Sequence, residues 1–443
     1  PFSGSRLSLY KISFSLITKI TVSITFEMAV KYDPTGTTNF ISKNCKMWRF
    51  CGLSNMWVDD IYESKITKIF HRFVTFCLVF FIMMEFLSFF TQANLTDKQT
   101  TDLILFSISH PVLFSYYIGC EYYKKEFKDL HLKLCIILKE DFNDPEAERR
   151  MIKKATYYSI ALFANCAVAL ISYGFDGLMQ VIRSDGSFTT IVIGWPYIED
   201  TSTIANLIRL ISYILWWIFM SRVSAALGLV VVTTILLSHQ YINLHSYFYN
   251  LDNIFDNVNE ENIEQKQLEY EKRLKVGIKL HSETLWCTRK CQNTCSLHFS
   301  GQIIMNVTVF CILMLQMVNS DRTLMNTMAI VTTSVGLLTS TGFIMWTAGD
   351  ITVEAARIST AIYSSGWQHC RGKTSARVRK LIVMAMTQAQ KNVVIRCLGI
   401  IEISYQSYLS VSFKIYLHTL NYLNGSIDLA TQAYVPTIIS TVL

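Results

Sequence analysis

Polar and apolar positions along this chain sort into long blocks. Seven blocks of predominantly apolar residues stand out, over 73–91, 102–123, 155–179, 204–224, 299–318, 324–348 and 400–423. About 20 such residues in a row cross the ~30 Å hydrocarbon core of a bilayer as a helix. Helices also satisfy their own backbone polar groups there. The pattern predicts an all-α polytopic membrane protein with seven transmembrane helices. The fourth block overruns a single crossing: "SYILWWIFMSRVSAALGLVVVTTILLSHQY" covers 212–241 and carries Arg222. At about 1.5 Å per residue, Arg222 lies roughly 27 Å below Ile204, at the inner edge of the core. From that depth a guanidinium can snorkel to headgroups or water. The apolar residues beyond it then need cover beneath the membrane, which a helical bundle shared between subunits would supply. The competing reading buries Arg222 as a pairing residue.

Between the blocks the pattern changes. Residues 28–72 mix polar and aromatic groups and are read as a cytoplasmic segment lying partly on the inner membrane surface. "FKDLHLKLCIILKEDF" (127–142) is amphipathic and reads as an interfacial or bundle-packing helix. "DNIFDNVNEENIEQKQLEYEKRLKVGIKLHSETLW" (252–286) reads as a polar loop followed by a helix entering the fifth span. Cys287, Cys291 and Cys295 share one helix face at i, i+4, i+8. A metal would want closer chelate spacing and further ligands, so buried thiols are the expectation. Residues 1–27 precede the first methionine, Met28, and are read as a non-native or disordered extension.

Composition agrees with the membrane class. Of 443 residues, 51% are hydrophobic and 16% charged, and the mean hydropathy is +0.31. Globular chains carry about a quarter charged residues. The net charge of +7 becomes informative once it is placed. Residues 124–154, 241–297 and 349–396 hold nine, seven and eight Lys or Arg, against Lys98, Arg183 and Arg322 alone in the other three loops. Basic residues of short loops stay cytoplasmic. Seven spans then put the N-terminus inside and residues 424–443 outside as an extracellular tail. G-protein-coupled receptors have the opposite orientation. The sequon Asn94-Leu95-Thr96 falls in an outer loop, which makes Asn94 a candidate glycan acceptor. None of the 12 cysteines lies in an outer loop, so a disulfide framework is not expected.

Conventional catalytic patterns are absent from the sequence: no phosphate-cradling glycine loop, no nucleophile elbow, no His/Glu metal pair. His110 and Asp176 sit near the outer ends of their spans and read as polar residues lining a cavity rather than a catalytic couple. The spans lack the carboxylate ladder or broken-helix pair of a coupled transporter. An enzyme is not expected, nor a cofactor, a metal or a nucleic-acid partner.

The last third resembles the C-terminal region of insect odorant receptors. The matching stretches are "AGDITVEAARISTAIYSSGW" (348–367), "RKLIVMAMTQAQKNVVI" (379–395) and "IEISYQSYLSVSFKIYLHTLNYL" (401–423). They carry Tyr363 and Trp367 at Tyr-x-x-x-Trp spacing, the pair Gln390-Lys391, and a terminal aromatic-rich helix in that family's order. "WPYIEDTSTIANLIRLISYILWWIFMSRV" and "LLSHQYINLHSYFYNL" look like the moth members, including the sex-pheromone receptor clade.

That resemblance implies an odour-gated cation channel in the plasma membrane of olfactory sensory neurons, assembled as a heterotetramer with a shared co-receptor subunit. It further implies a volatile ligand, a pheromone or plant odour, held in the outer half of the membrane among spans two, three, four and six. The residues it nominates are Phe106, Ser109, Ser172, Tyr173, Phe175, Tyr213, Trp216, Trp217, Thr327, Val331 and Ser334. Aromatic walls with a few hydroxyls suit a long apolar volatile with one alcohol, aldehyde or ester end. The last helix would line the pore, with Tyr416, Leu417, Leu420 and Leu423 as a constriction that gates by dewetting and Lys414 turned to a neighbouring helix. The implied organisation is a cytoplasmic 28–72, helices one to six with the pocket over 73–348, a cytoplasmic helical anchor over 349–399 and the pore helix over 400–423. The alternative function is a metabotropic seven-helix chemoreceptor acting through second messengers.

Overall fold

A computed structural model describes residues 32–59, 65–184, 187–256, 262–319 and 324–410. Helix α1 (Gly36–Phe50) starts at a reciprocal cap in which the Thr35 and Thr38 side chains each accept from the other's backbone N–H. It buries Ile41, Cys45 and Trp48. Next come α2 (Lys65–Thr91) and α3 (Asp97–Tyr122), the latter opened by a capping box of Thr96 and Gln99. After α4 (Lys124–Leu132) the chain passes through a π turn, Lys133–Ile137. Four long helices follow: α5 (Pro145–Ser184), α6 (Thr203–Asn250), α7 (Ile263–Asn319) and α8 (Leu324–Tyr363). The amphipathic α9 (Gly372–Ala389) and a two-stranded antiparallel hairpin, β1 (Arg396–Cys397) with β2 (Ile401–Glu402), complete the described fold.

Six helices among the described residues are long and apolar enough to cross a membrane. The 48 residues of α6 and the 57 of α7 measure about 72 and 86 Å at 1.5 Å per residue. Both far exceed a hydrocarbon core of about 30 Å. The excess packs against the ends of α5 and α8 as a second bundle. The segments expected to be separate spans and loops are therefore continuous rods. No helix begins at 400, where the seventh span was expected. Leu398 and Gly399 have φ +52° and +74°, so the chain turns there through the hairpin. Helix resumes only over residues 405–410, and 411–423 lie outside the described residues.

Helix α6 is the axis of the molecule. Every residue from 222 to 241 is buried, so the apolar overrun is not an open surface between subunits. Its cover comes from the same chain. Trp48 of α1 approaches so closely that a Cβ on Gly228 would meet its Nε1 at 3.3 Å. His131 of α4 bridges the Met56 carbonyl at 3.0 Å and Thr233 Oγ1 at 3.1 Å, and the Thr234 hydroxyl donates to Thr347 Oγ1 of α8 at 2.8 Å. The 127–142 segment thus packs into the bundle of its own chain. Cys287, Cys291 and Cys295 are fully buried.

Arg222 differs from the snorkelling expectation as well. It is 2% exposed. Its Nη1 donates to Thr75 Oγ1, and its guanidinium lies 5.2 Å from the centroid of the Tyr117 ring. The loop after α1 covers it, anchored by Ser54, whose backbone N–H donates to Glu121 at 2.7 Å. The depth estimate placed Arg222 near water, but the N-terminal segment occupies that position.

Candidate functional site

Helices α3, α5, α6, α7 and α8 diverge around a cavity of about 150 Å³. Its outer end is an aromatic box. Phe106 stacks on His110 with centroids 5.1 Å apart and meets Trp216 and Tyr173 edge-on at 5.1 and 5.5 Å. Tyr173 in turn meets Trp216 at 5.4 Å. The rest of the wall is mostly aliphatic and sulfur-bearing, with Leu170, Met220, Leu227, Met305 and Val309 among its residues. Polar residues of this part of the wall are Asn165 of α5, Ser224 of α6, Gln302 of α7, and Thr333 and Ser340 of α8.

A buried hydrogen-bond chain fixes the box. The Trp216 indole N–H donates to His110 Nε2 at 3.0 Å. An indole nitrogen can only donate, so Nε2 carries no proton and the neutral imidazole holds its hydrogen on Nδ1. That N–H donates to Glu85, whose carboxyl oxygens lie at 2.7 and 2.9 Å. Glu85 and His110 are 0% and 2% exposed. A polar group this deep persists only when bonded, and here α2 sets the orientation of a side chain on α3, which in turn sets one on α6.

Four of the nominated residues, Phe106, Ser109, Tyr173 and Trp216, line this cavity. Tyr213 and Trp217 stand behind the box, the Tyr213 hydroxyl donating to the Leu170 carbonyl at 2.9 Å and its ring lying 6.3 Å from Trp217. The Ser172 hydroxyl donates to the Val168 carbonyl on its own helix. Phe175 and Val331 are 56% and 49% exposed, on faces turned out of the bundle. Thr327 and Ser334 are half-buried away from the cavity. On α8 the lining residues are Thr333, Gly336, Leu337 and Ser340, a stripe rotated from the expected one. That helix is apolar all round, so its sequence carries no phase signal. The contribution of α7 was not foreseen. His110 does line the cavity, but its partner is Glu85, while Asp176 pairs with Lys98 and Gln180.

Asn94 is exposed in the loop joining α2 to α3, at φ +55°, with its side-chain amide donating to Glu199 at 2.9 Å. The pore positions Tyr416, Leu417, Leu420 and Leu423 lie outside the described residues, as do 1–27 and 424–443.

Comparison with known proteins adds a family and a fold. A family model described as 7tm odorant receptor matches residues 122–413. The insect olfactory receptor OR5 from Machilis hrabei in complex with eugenol superposes with a TM-score of 0.70 at 11% identity, covering 87% of this chain and 98% of that one. A second structure of the insect olfactory receptor OR5 from Machilis hrabei gives 0.71 at 11% identity, over 88% of this chain and 98% of that one. At that identity the likeness is one of fold. No curated protein matches this sequence.

Proposed function

Since this chain belongs to the odorant receptor family, whose members are ligand-gated ion channels and not enzymes, we propose that it is the ligand-tuning subunit of an insect odour-gated non-selective cation channel. It works with a co-receptor subunit in the plasma membrane of olfactory sensory neurons. The observation that carries this reading is the mostly apolar cavity among the spans, with its hydrogen-bonded Glu85–His110–Trp216 wall. Most of its lining is apolar and a few polar atoms converge on it, as small-molecule sites require.

The cavity size sharpens the ligand. About 150 Å³ is the volume at which an apolar protein cavity takes up a single benzene ring. A compact ring-sized volatile fits without rearrangement, whereas a long-chain pheromone requires the helices to part. Ligand binding then favours an arrangement in which the last helix opens. Its residues Tyr416, Leu417, Leu420 and Leu423 form the constriction in this proposal. Residues 28–72 cap the bundle on the cytoplasmic side, 73–348 carry the pocket, 349–399 anchor the assembly, 400–423 line the pore and 424–443 face outward.

Two-electrode recording in oocytes tests the proposal. The expected outcome is odour-evoked current that requires the co-receptor and survives a block of G proteins. A response carried entirely by second messengers overturns it and supports the metabotropic alternative. That alternative also needs the basic loops on the outer face, against the charge map.

A further inference from the structure

Gln302 is 2% exposed and lines the cavity. Its amide nitrogen donates to Ser340 Oγ and Thr341 Oγ1, each at 3.0 Å. Both of those hydroxyls give their own hydrogens to the Leu337 carbonyl, each at 2.9 Å. A hydroxyl has one hydrogen, so towards Gln302 both can only accept. The side-chain amide is therefore held: turned over, its oxygen would compete with the Leu337 carbonyl for the two hydroxyl hydrogens, and two of the four bonds would be lost. Held in this way, Gln302 Oε1 is a buried acceptor with no donor.

We propose that this acceptor makes the cavity selective for volatiles that carry a hydroxyl donor over aldehydes, ethers or esters of the same shape; the inference rests on the reading of the cavity as the odorant site. An alcohol or phenol can complete the bond to Gln302 Oε1. A ligand that only accepts leaves that oxygen unbonded, as it stands, and so gains nothing from it. Sites built around a hydroxyl discriminate strongly against analogues lacking it for the same reason. Tyr173, at the aromatic end, does not discriminate, because a phenol oxygen both gives and takes a hydrogen bond. The Gln302 oxygen can only take.

The test uses benzyl alcohol, benzaldehyde and benzyl methyl ether, all of ring size. Currents are recorded from the full-length chain with its co-receptor, and thermal shifts are measured on the same purified chain. The expected result is an alcohol potency about tenfold better than either analogue, equivalent to about 1.4 kcal/mol. Gln302→Met, which keeps the volume and removes the acceptor, should bring the ratio close to one, mainly by weakening the alcohol. Equal or better potency of the aldehyde or ether on the unmodified receptor overturns the inference, whether or not Gln302→Met folds. So does a preference that survives Gln302→Met. An alcohol preference in thermal shift without any current supports the inference and sinks the channel reading. Currents with a flat ratio do the reverse. No shift and no current with any of the three overturns both.

Discussion

Arg222 of α6 donates from Nη1 to Thr75 Oγ1 of α2 at 2.8 Å, beneath the loop that follows α1. The Thr75 hydrogen is already given to the His71 carbonyl at 2.7 Å, so its oxygen is free to accept. Gly52, at φ +104°, lets the loop close over the guanidinium; a Cβ there would sit 2.5 Å from Arg222 Nε.

Breaking this contact should unseat the N-terminal segment. Hydrogen bonds to charged groups contribute about 1.5–3 kcal/mol, so Arg222→Leu should lower thermal stability by about that much in purified protein. Thr75→Val should cost less, and the double variant little more than Arg222→Leu alone, because the two act through one bond. Gly52→Ala should match Arg222→Leu. Additive losses in the cycle would separate the residues and contradict the contact.

The Glu85–His110–Trp216 chain predicts a graded series in ligand response. Glu85→Leu leaves the His110 N–H unbonded and releases the indole wall, and should raise the half-maximal odorant concentration about tenfold or more, a buried unsatisfied donor costing about 1–3 kcal/mol. Glu85→Gln keeps a carbonyl oxygen for that N–H and should stay within a few-fold of the unmodified receptor. Dose–response curves at matched surface expression decide it. Equal effects of the two variants would show that the chain does not hold the wall.

Gly336 offers a test of cavity size. A Cβ there meets nothing nearer than the Asn165 carbonyl at 3.9 Å, an ordinary contact. Gly336→Ala should therefore fold and gain stability, since glycine within a helix costs roughly 0.5–1 kcal/mol relative to alanine. The added methyl takes space from the cavity. Single-ring ligands should lose potency, and bulkier bicyclic ones should lose more. Unchanged potency across both classes would mean that ligand binds elsewhere.

The outer loop separates a modification from a fold effect. Asn94→Gln should abolish a glycosidase-sensitive mobility shift at a small cost in stability, because Asn94 sits at φ +55° and donates to Glu199. Thr96→Ala removes the same sequon and the cap of α3, whose Oγ1 accepts the Gln99 N–H. It should cost about 1 kcal/mol more. Thr96→Ser should restore both. A shift that persists in Asn94→Gln would place the glycan at another residue.

Much of this molecule is legible in its residues. Blocks of about twenty apolar residues dictate helices in any bilayer, because lipid offers the backbone no other partner. The basic residues gathered in alternate loops dictate a side. The hydroxyls of Thr35 and Thr96 mark helix starts through local capping that needs no tertiary contact. The C-terminal motifs named the family from the sequence.

The facing of those helices was decided only by packing. In water an apolar stripe marks the buried side; in lipid the exposed side is equally apolar, so Val331 and Leu337 are indistinguishable in sequence although one is 49% exposed and the other lines the cavity. The same degeneracy hid Met305 and Val309 on α7 and the burial of 222–241 within its own chain. Arg222 announced itself as a polar residue in an apolar run, whereas Gln302 went unmarked, and the roles of both depended on what lay across from them. Thr75 is 147 residues from the arginine, and Thr341 is 39 from the glutamine. Sequence determined that the helices form; only their packing determined which polar atoms are paired and which are not.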